Sequence, residues 1–362
     1  MRRGSSLAAI VLLLAAPARA AEWARITAPP PLAFPRDHGS HPAFRTEWWY
    51  VTGALADPGG RRYGFQLTFF RQGLDPSPPT PGSSALRARQ VLAAHLAVAE
   101  IGQKKTRFAE RVRRIAAGMA GASEKDLDVF LDDWEVRRLP SGAITLVADD
   151  RDSGLALTLE LQPEKPGVLH GEGGVSRKGP ELGNASVYLS FTRLAARGRL
   201  SLDRRERAVQ GEAWFDHEWG SSQLGGGVVG WDWLGVRLAD GRELMLYRLR
   251  DATGGAAPDS AGTLVERDGS ARHLVATEFA VETLSWWTSP RTGTRYPARL
   301  RVRVPGAGLD LEVRPELPDA ELDARASTGT VYWEGPVAVT GTARGEGYLE
   351  LTGYAPGTLT KF

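Results

Sequence analysis

The chain has 362 residues, 42% of them hydrophobic and 24% charged, with 42 Gly, 23 Pro, 11 Trp and no Cys. That length and mix describe a globular chain with room for two domains and exclude a disordered or fibrous one. The lack of Cys excludes a disulfide framework, thiol catalysis, cysteine-ligated zinc and iron–sulfur centres, while six His leave little material for a metal site and 45 bases against 43 acids leave no electrostatic footprint for nucleic acid.

Residues 1–20 read as a signal peptide: a basic start at Met1-Arg2-Arg3, an apolar run from Leu7 to Ala16 and a small-x-small cleavage site at Ala18-Arg19-Ala20. The apolar run is too short to span a bilayer. Cleavage after Ala20 leaves 42 bases against 43 acids, so the expectation is a secreted, periplasmic, nearly neutral protein. Residues 21–40 are Pro-rich and read as an extended lead-in.

From Trp48 onward the pattern is short strands, rich in β-branched and aromatic residues and bounded by Gly, Pro, Asp or Ser. Trp48 to Leu55, Tyr63 to Arg71, Leu92 to Ile101, Trp134 to Arg138, Ile144 to Ala148 and Leu155 to Gln162 form one set. Asp57-Pro58-Gly59-Gly60 is a hairpin turn between the first two. Residues 72–88 are a Pro/Ser-rich loop expected to act as a flap, and Lys104 to Met119 is predicted as the one helix, closed by Gly118 or Gly121. A second set begins near Trp231 with Trp231 to Leu238 and Glu243 to Arg250 and ends with Val331 to Thr340 and Gly347 to Gly353. Ser221 to Gly227 reads as the linker, giving domains at 41–222 and 223–362. Each set holds about eight strands, the number that closes a small antiparallel barrel. Trp48 to Gly53 is faintly echoed by Tyr332 to Gly335 and Val339 to Gly341.

Two clusters carry chemistry. Gly211 to Gly220 (GEAWFDHEWG) contains Glu212, Asp216, His217 and Glu218; on a strand Asp216 and Glu218 share one face, and His217 and Trp219 the other. Asp216 and His217 are the candidate acid–base pair. The competing reading is a structural brace between domains, because buried ionisable groups need partners whatever their purpose. In the second cluster, His41 to Tyr50, Glu47 leads into a strand with His41 and Arg45 as candidate partners, and Gln66, Thr68 and Arg71 are expected as polar neighbours across the hairpin. Glu47, Arg71 and Glu218 are candidates for a polar site or a structural one. Trp231 and Trp233, two residues apart, place both indoles on one strand face with Asp232 on the other. Trp48, Tyr50, Gln66, Trp219, Trp231, Trp233 and Tyr247 are the candidate ligand-binding set, with barrel core as the alternative for each Trp. No nucleophile elbow, P-loop or H-E-x-x-H motif is present, so no metal and no organic cofactor are expected.

Glu47 to Gly53 (EWWYVTG), Phe215 to Gly220 (FDHEWG) and Gly347 to Tyr354 (GYLELTGY) resemble the signature blocks of a two-domain lipocalin-like family. It contains the carotenoid 1,2-hydratases (hydroxyneurosporene synthases), the AttH component of an ABC export system and chains labelled as secreted hydrolases. The resemblance implies an all-β fold of two packed calycin-type barrels. In its hydratase branch an acid protonates an isoprenoid double bond, aromatics shield the cation and water captures it, without a cofactor. His217 and Trp219 match the family's H-x-W block. Those hydratases carry a Tyr-x-Asp acid soon after it; here Tyr247-Arg248-Leu249 stands instead, leaving Asp216 or Asp232 to supply an acid. The AttH branch is therefore the better analogue. The expected function is binding of an apolar, isoprenoid or lipid-like molecule beside ABC transport components; the alternatives are a hydro-lyase or cyclase, and a rigid transporter adaptor.

Overall fold

The structure, a computed structural model, describes residues 21–77, 84, 87–221 and 224–357. The expected signal segment and part of the Pro/Ser loop fall outside these residues, as does part of the linker at 221–227. The chain is all-β, its strands gathered into two sheets, one curled into a nearly closed barrel and the other into a half-barrel.

The first sheet opens with β1 (Thr46–Ala56), β2 (Arg62–Gly73), β3 (Gln90–Glu100) and β4 (Lys105–Arg114). It continues through β5 (Ala120–Ala122), β6 (Asp128–Leu131), β7 (Trp134–Arg138), β8 (Ile144–Asp150) and β9 (Leu155–Pro163). It ends with β10 (Val168–Leu169), β11 (Val175–Arg177), β12 (Ala185–Leu202) and β13 (Arg205–Gly220). The second sheet takes β14 (Val228–Leu238), β15 (Glu243–Asp251), β16 (Ala261–Val265), β17 (Ala271–Val275) and β18 (Ala280–Thr288). After these come β19 (Arg295–Val304), β20 (Leu309–Pro315), β21 (Glu321–Ala324), β22 (Thr330–Gly341) and β23 (Gly345–Thr352). The spatial order is β4-β3-β2-β1-β13-β12-β9-β8-β7-β6-β5 in the first sheet and β17-β16-β15-β14-β23-β22-β20-β19-β18 in the second.

The predicted helix at Lys104 to Met119 is instead β4, paired along its length with β3 from Val91↔Arg114 to Glu100↔Lys105. Its Lys, Arg, Glu and Ala content favours a helix locally, but ten cross-strand pairings with β3 outweigh that propensity. As an edge strand it carries the charges that protect an edge. Arg111 reaches the carbonyl of Asp149 at 2.7 Å, and Arg113 reaches Asp132 at 3.1 Å, which nearly closes the barrel.

Alternation decides what each face meets. In β9, Leu155, Leu157, Leu159 and Leu161 point inward and the residues between them point outward. Trp49, Phe65, Phe69, Trp134 and Phe215 join them, so the first barrel is a solid core rather than a ligand chamber. Burying each such aromatic stabilises the fold by about 2–3 kcal/mol. The half-barrel packs its own core around Val236, Leu300, Leu311 and Trp333. The outer faces of β1, β2, β3, β12 and β13 meet β14, β15, β22 and β23. The approach is close where Gly64 abuts Pro336: a Cβ on Gly64 would lie 2.6 Å from the Pro336 ring.

Candidate functional site

Between the two sheets lies a cavity of about 160 Å³. From the first sheet, even-numbered residues of β1 and β2 line it: Trp48, Tyr50, Gln66, Thr68 and Phe70. The odd-numbered neighbours Trp49, Val51, Phe65, Leu67 and Phe69 enter the barrel core. From the second sheet come Trp231, Trp233, Tyr247 and Leu249, with Tyr332, Glu334 and Glu350. The expected common face of Trp231 and Trp233 is therefore observed, and it is the cavity face. Asp232 lies on the opposite face, hydrogen-bonded to Arg250 at 3.1 Å and Tyr354 at 2.9 Å and also paired with Arg248. It is turned away from any ligand in the cavity.

The same parity splits the GEAWFDHEWG block. Trp214, Asp216 and Glu218 face the second sheet, while Phe215, His217 and Trp219 face the other way. Asp216 and His217 are thus on opposite sides of β13 and do not form an acid–base pair. Trp219 leaves the ligand set: it packs with Ile26 and Val187 and stacks on His41 at 3.8 Å between ring centroids. Gln66 and Thr68 line the cavity, and Arg71, an odd number of residues away, turns toward Glu47, so that this ion pair borders the cavity at its edge.

Asp216 is buried, and among the described residues it takes no hydrogen bond or ion pair from a cationic group, although the charge of Lys178 is close enough to be felt. Tyr188 Oη donates to it at 2.7 Å, Trp214 Nε1 donates at 2.6 Å, and Ser190 Oγ donates as well. Burial outweighs these three donors, and the charge of Glu218 adds to it, so the carboxyl is pushed up to about 7. Trp233 Nε1 in turn donates to Tyr188 Oη at 2.9 Å, linking the cavity wall to the acid. Glu350 is also pushed up to about 7 by burial, against donation from Trp231 Nε1 at 3.0 Å and Thr352 Oγ1 at 2.8 Å. Glu334 accepts from Tyr50 Oη at 2.5 Å and is held well above the carboxylate range by burial and by Glu350. Glu218 differs from these three, since Lys178 Nζ lies 3.2 Å away and sits 3.8 Å above the Tyr247 ring. The site thus holds carboxyl groups raised toward their neutral forms among aromatic walls, an arrangement suited to proton donation or to meeting a positive charge.

At the edge of the cavity, Glu47 forms a second hub. It accepts from Ser40 Oγ at 2.9 Å, His41 N at 3.0 Å, His41 Nδ1 at 2.8 Å, Arg71 Nε at 2.8 Å and His217 Nε2 at 2.9 Å. Burial works against its charge, but Arg71 and the two histidines outweigh it and hold the carboxyl well below its ordinary range. Burial pushes the His217 imidazole below its ordinary value, against the pull of Glu47. Arg45, the other expected partner, engages through its backbone: its N–H donates to Ser221 Oγ at 3.0 Å and its carbonyl accepts from Gly73 N at 2.7 Å. Donor atoms of His41, Glu47 and His217 lie within 4.8 Å of one another, close enough to share a cation. In this arrangement the guanidinium of Arg71 supplies the positive charge.

The sequence reading missed Lys178, Tyr188, Glu334 and Glu350. One signal for the last two was present: Tyr332-Trp333-Glu334 and Tyr348-Leu349-Glu350 each put a carboxyl two residues after a Tyr on an otherwise apolar strand. The faint internal echo also acquires a place, since Tyr50 from its first copy bonds Glu334 from its second across the cavity.

A family model described as AttH-like matches residues 25–354. A crystal structure of a Nitrosomonas europaea protein assigned as AttH is 35% identical, with a TM-score of 0.84, and the alignment covers 92% of this chain and 99% of that one. Kievitone hydratase from Nectria haematococca shares the fold at 11% identity and a TM-score of 0.69, over 92% of this chain and 96% of that one. No curated protein matches.

Proposed function

The chain belongs to the AttH-like family, and from that premise we propose that it binds an apolar, isoprenoid or lipid-like molecule in the cavity between its sheets. The observation that carries this reading is the aromatic enclosure of buried Trp233 and Tyr247 and half-buried Trp48 and Trp231 around a volume of about 160 Å³. An apolar cavity of about 150 Å³ takes up a benzene-sized molecule. Geraniol titrated against intrinsic tryptophan fluorescence tests the reading. Leu249 lines the cavity, so Leu249→Trp should fill it and weaken binding at least about tenfold, a loss of about 1.4 kcal/mol, while the chain still folds. Unchanged affinity would place the ligand elsewhere.

A second reading, acid-catalysed addition of water across an isoprenoid double bond, is favoured by Asp216. It is a carboxyl raised to about 7 among indole side chains, and indole faces stabilise a desolvated cation by about 2 kcal/mol. The fold shared with a hydratase is compatible with it. In the balanced step, the acid's proton goes to the less substituted alkene carbon, water adds to the tertiary cation, and the water's proton returns to the carboxylate. Asp216→Asn should still bind geraniol but form no tertiary alcohol from it; continued hydration would remove Asp216 from the chemistry.

We further propose export with cleavage after Ala20 and work beside ABC transport components at the membrane, the setting that the AttH resemblance implies. Periplasmic protein whose first residue is Ala21 is the expected result. An uncleaved chain retained in the cytosol would overturn it.

A further inference from the structure

The charges around the cavity do not balance. Of its five lining carboxyl groups, Glu47 is paired with Arg71 and Glu218 with Lys178. Among the described residues, Asp216, Glu334 and Glu350 receive hydrogen bonds from neutral donors only: hydroxyls and indole N–H groups. A buried carboxylate without a counter-charge is costly, so each of these three groups gains if a ligand brings positive charge. An independent observation concerns Gln66, which is 1% exposed. Its Nε2 donates to Thr68 Oγ1 at 3.1 Å and to Tyr332 Oη at 3.3 Å. Its Oε1 is buried and has no hydrogen-bond partner among the described residues, although the residue lines the cavity. Leaving a buried acceptor unpaired is unfavourable and asks for a donor from the occupant. The walls already accept an ammonium on an aromatic face, as Lys178 over Tyr247 shows.

We propose that the occupant is an apolar molecule bearing a protonated amine, whose ammonium lies among Asp216, Glu334 and Glu350 and directs one N–H to Gln66 Oε1. The inference rests on the binding function proposed above and narrows it to a ligand class. Neutral lipids and hydrocarbons would fill the same volume but leave both the acids and the amide oxygen unmet.

The test compares n-octylammonium chloride with 1-octanol at pH 7.5 on the mature chain, followed by intrinsic tryptophan fluorescence. The two probes share a tail and a donor and differ in charge. Octylammonium is expected to bind at least about tenfold more tightly. Glu334→Gln with Glu350→Gln should bring the two probes to nearly equal affinity. The wild-type comparison carries the test even if that double variant does not fold. Octanol binding as tightly as octylammonium would overturn the amine assignment while leaving an apolar-ligand function in place. Failure of both probes to bind would overturn the two together.

Discussion

Glu47→Ala is expected to lower the stability of the fold by about 3–5 kcal/mol, the range for removing one partner of a buried ion pair. The side chains of Glu47 and Arg71 are fully buried, so the variant strands a guanidinium and also removes the acceptor of Ser40, His41 and His217. The pH dependence has a definite sign. Glu47 is held well below its ordinary value of 4.5, so its contribution is present above that value and is lost as pH falls through the folded-state pKa. Urea denaturation should therefore show a large gap between wild type and variant at pH 7 that narrows in acid. A gap under about 1 kcal/mol at pH 7, typical of an exposed pair, would mean that the cluster does not brace the barrel. Replacing Glu47 and Arg71 together with apolar residues should recover part of the loss, since the main penalty is the uncompensated charge.

What the sequence made legible followed from the period of a strand. Parity alone put Trp231 and Trp233 on one face and separated Asp216 and Glu218 from His217 and Trp219, and the structure keeps both assignments. The Asp57-Pro58-Gly59-Gly60 turn was readable because Gly60 needs positive φ there, observed at 78°. The β12 strand was not readable. Its register shifts between Phe191 and Leu194, so the residues facing the barrel core change from odd to even numbers and no single alternation runs through it. The site's partners were hidden for a different reason. Tyr50 and Glu334 are 284 residues apart, and their contact depends on how two sheets dock, which no local pattern encodes. Choosing His217 as the partner of Asp216 rested on adjacency in sequence, which in a strand places neighbours on opposite faces.

Asp216→Asn is expected to make the protein more stable than wild type above pH 7 while leaving the two about equal near pH 4. Burial lifts Asp216 from its ordinary 3.8 to about 7, so the folded state binds a proton that the unfolded chain has released. Stability from this group is full below pH 3.8 and declines as pH rises to about 7, a loss of about 4 kcal/mol at roughly 1.4 kcal/mol per pH unit. Asparagine has the shape of the protonated acid, with one accepting oxygen and one donating atom, and it never ionises. Its oxygen can keep the bonds from Trp214 and Ser190, which both reach Oδ1 in the native site. The difference between the two pH curves isolates the group, and it must be read as a difference. His95 and His170 are pushed down to about 3 by burial, so protonation of the unfolded chain makes stability fall as pH drops below 6.5 and partly masks Asp216 in the wild-type curve. Parallel curves for wild type and variant would mean that Asp216 titrates as an ordinary carboxyl and is no reservoir of neutral acid. Diverging curves would mean that the fold gives up stability at neutral pH to keep an acid group in an aromatic cavity. That concession is expected at a site selected for what it binds or protonates rather than for stability.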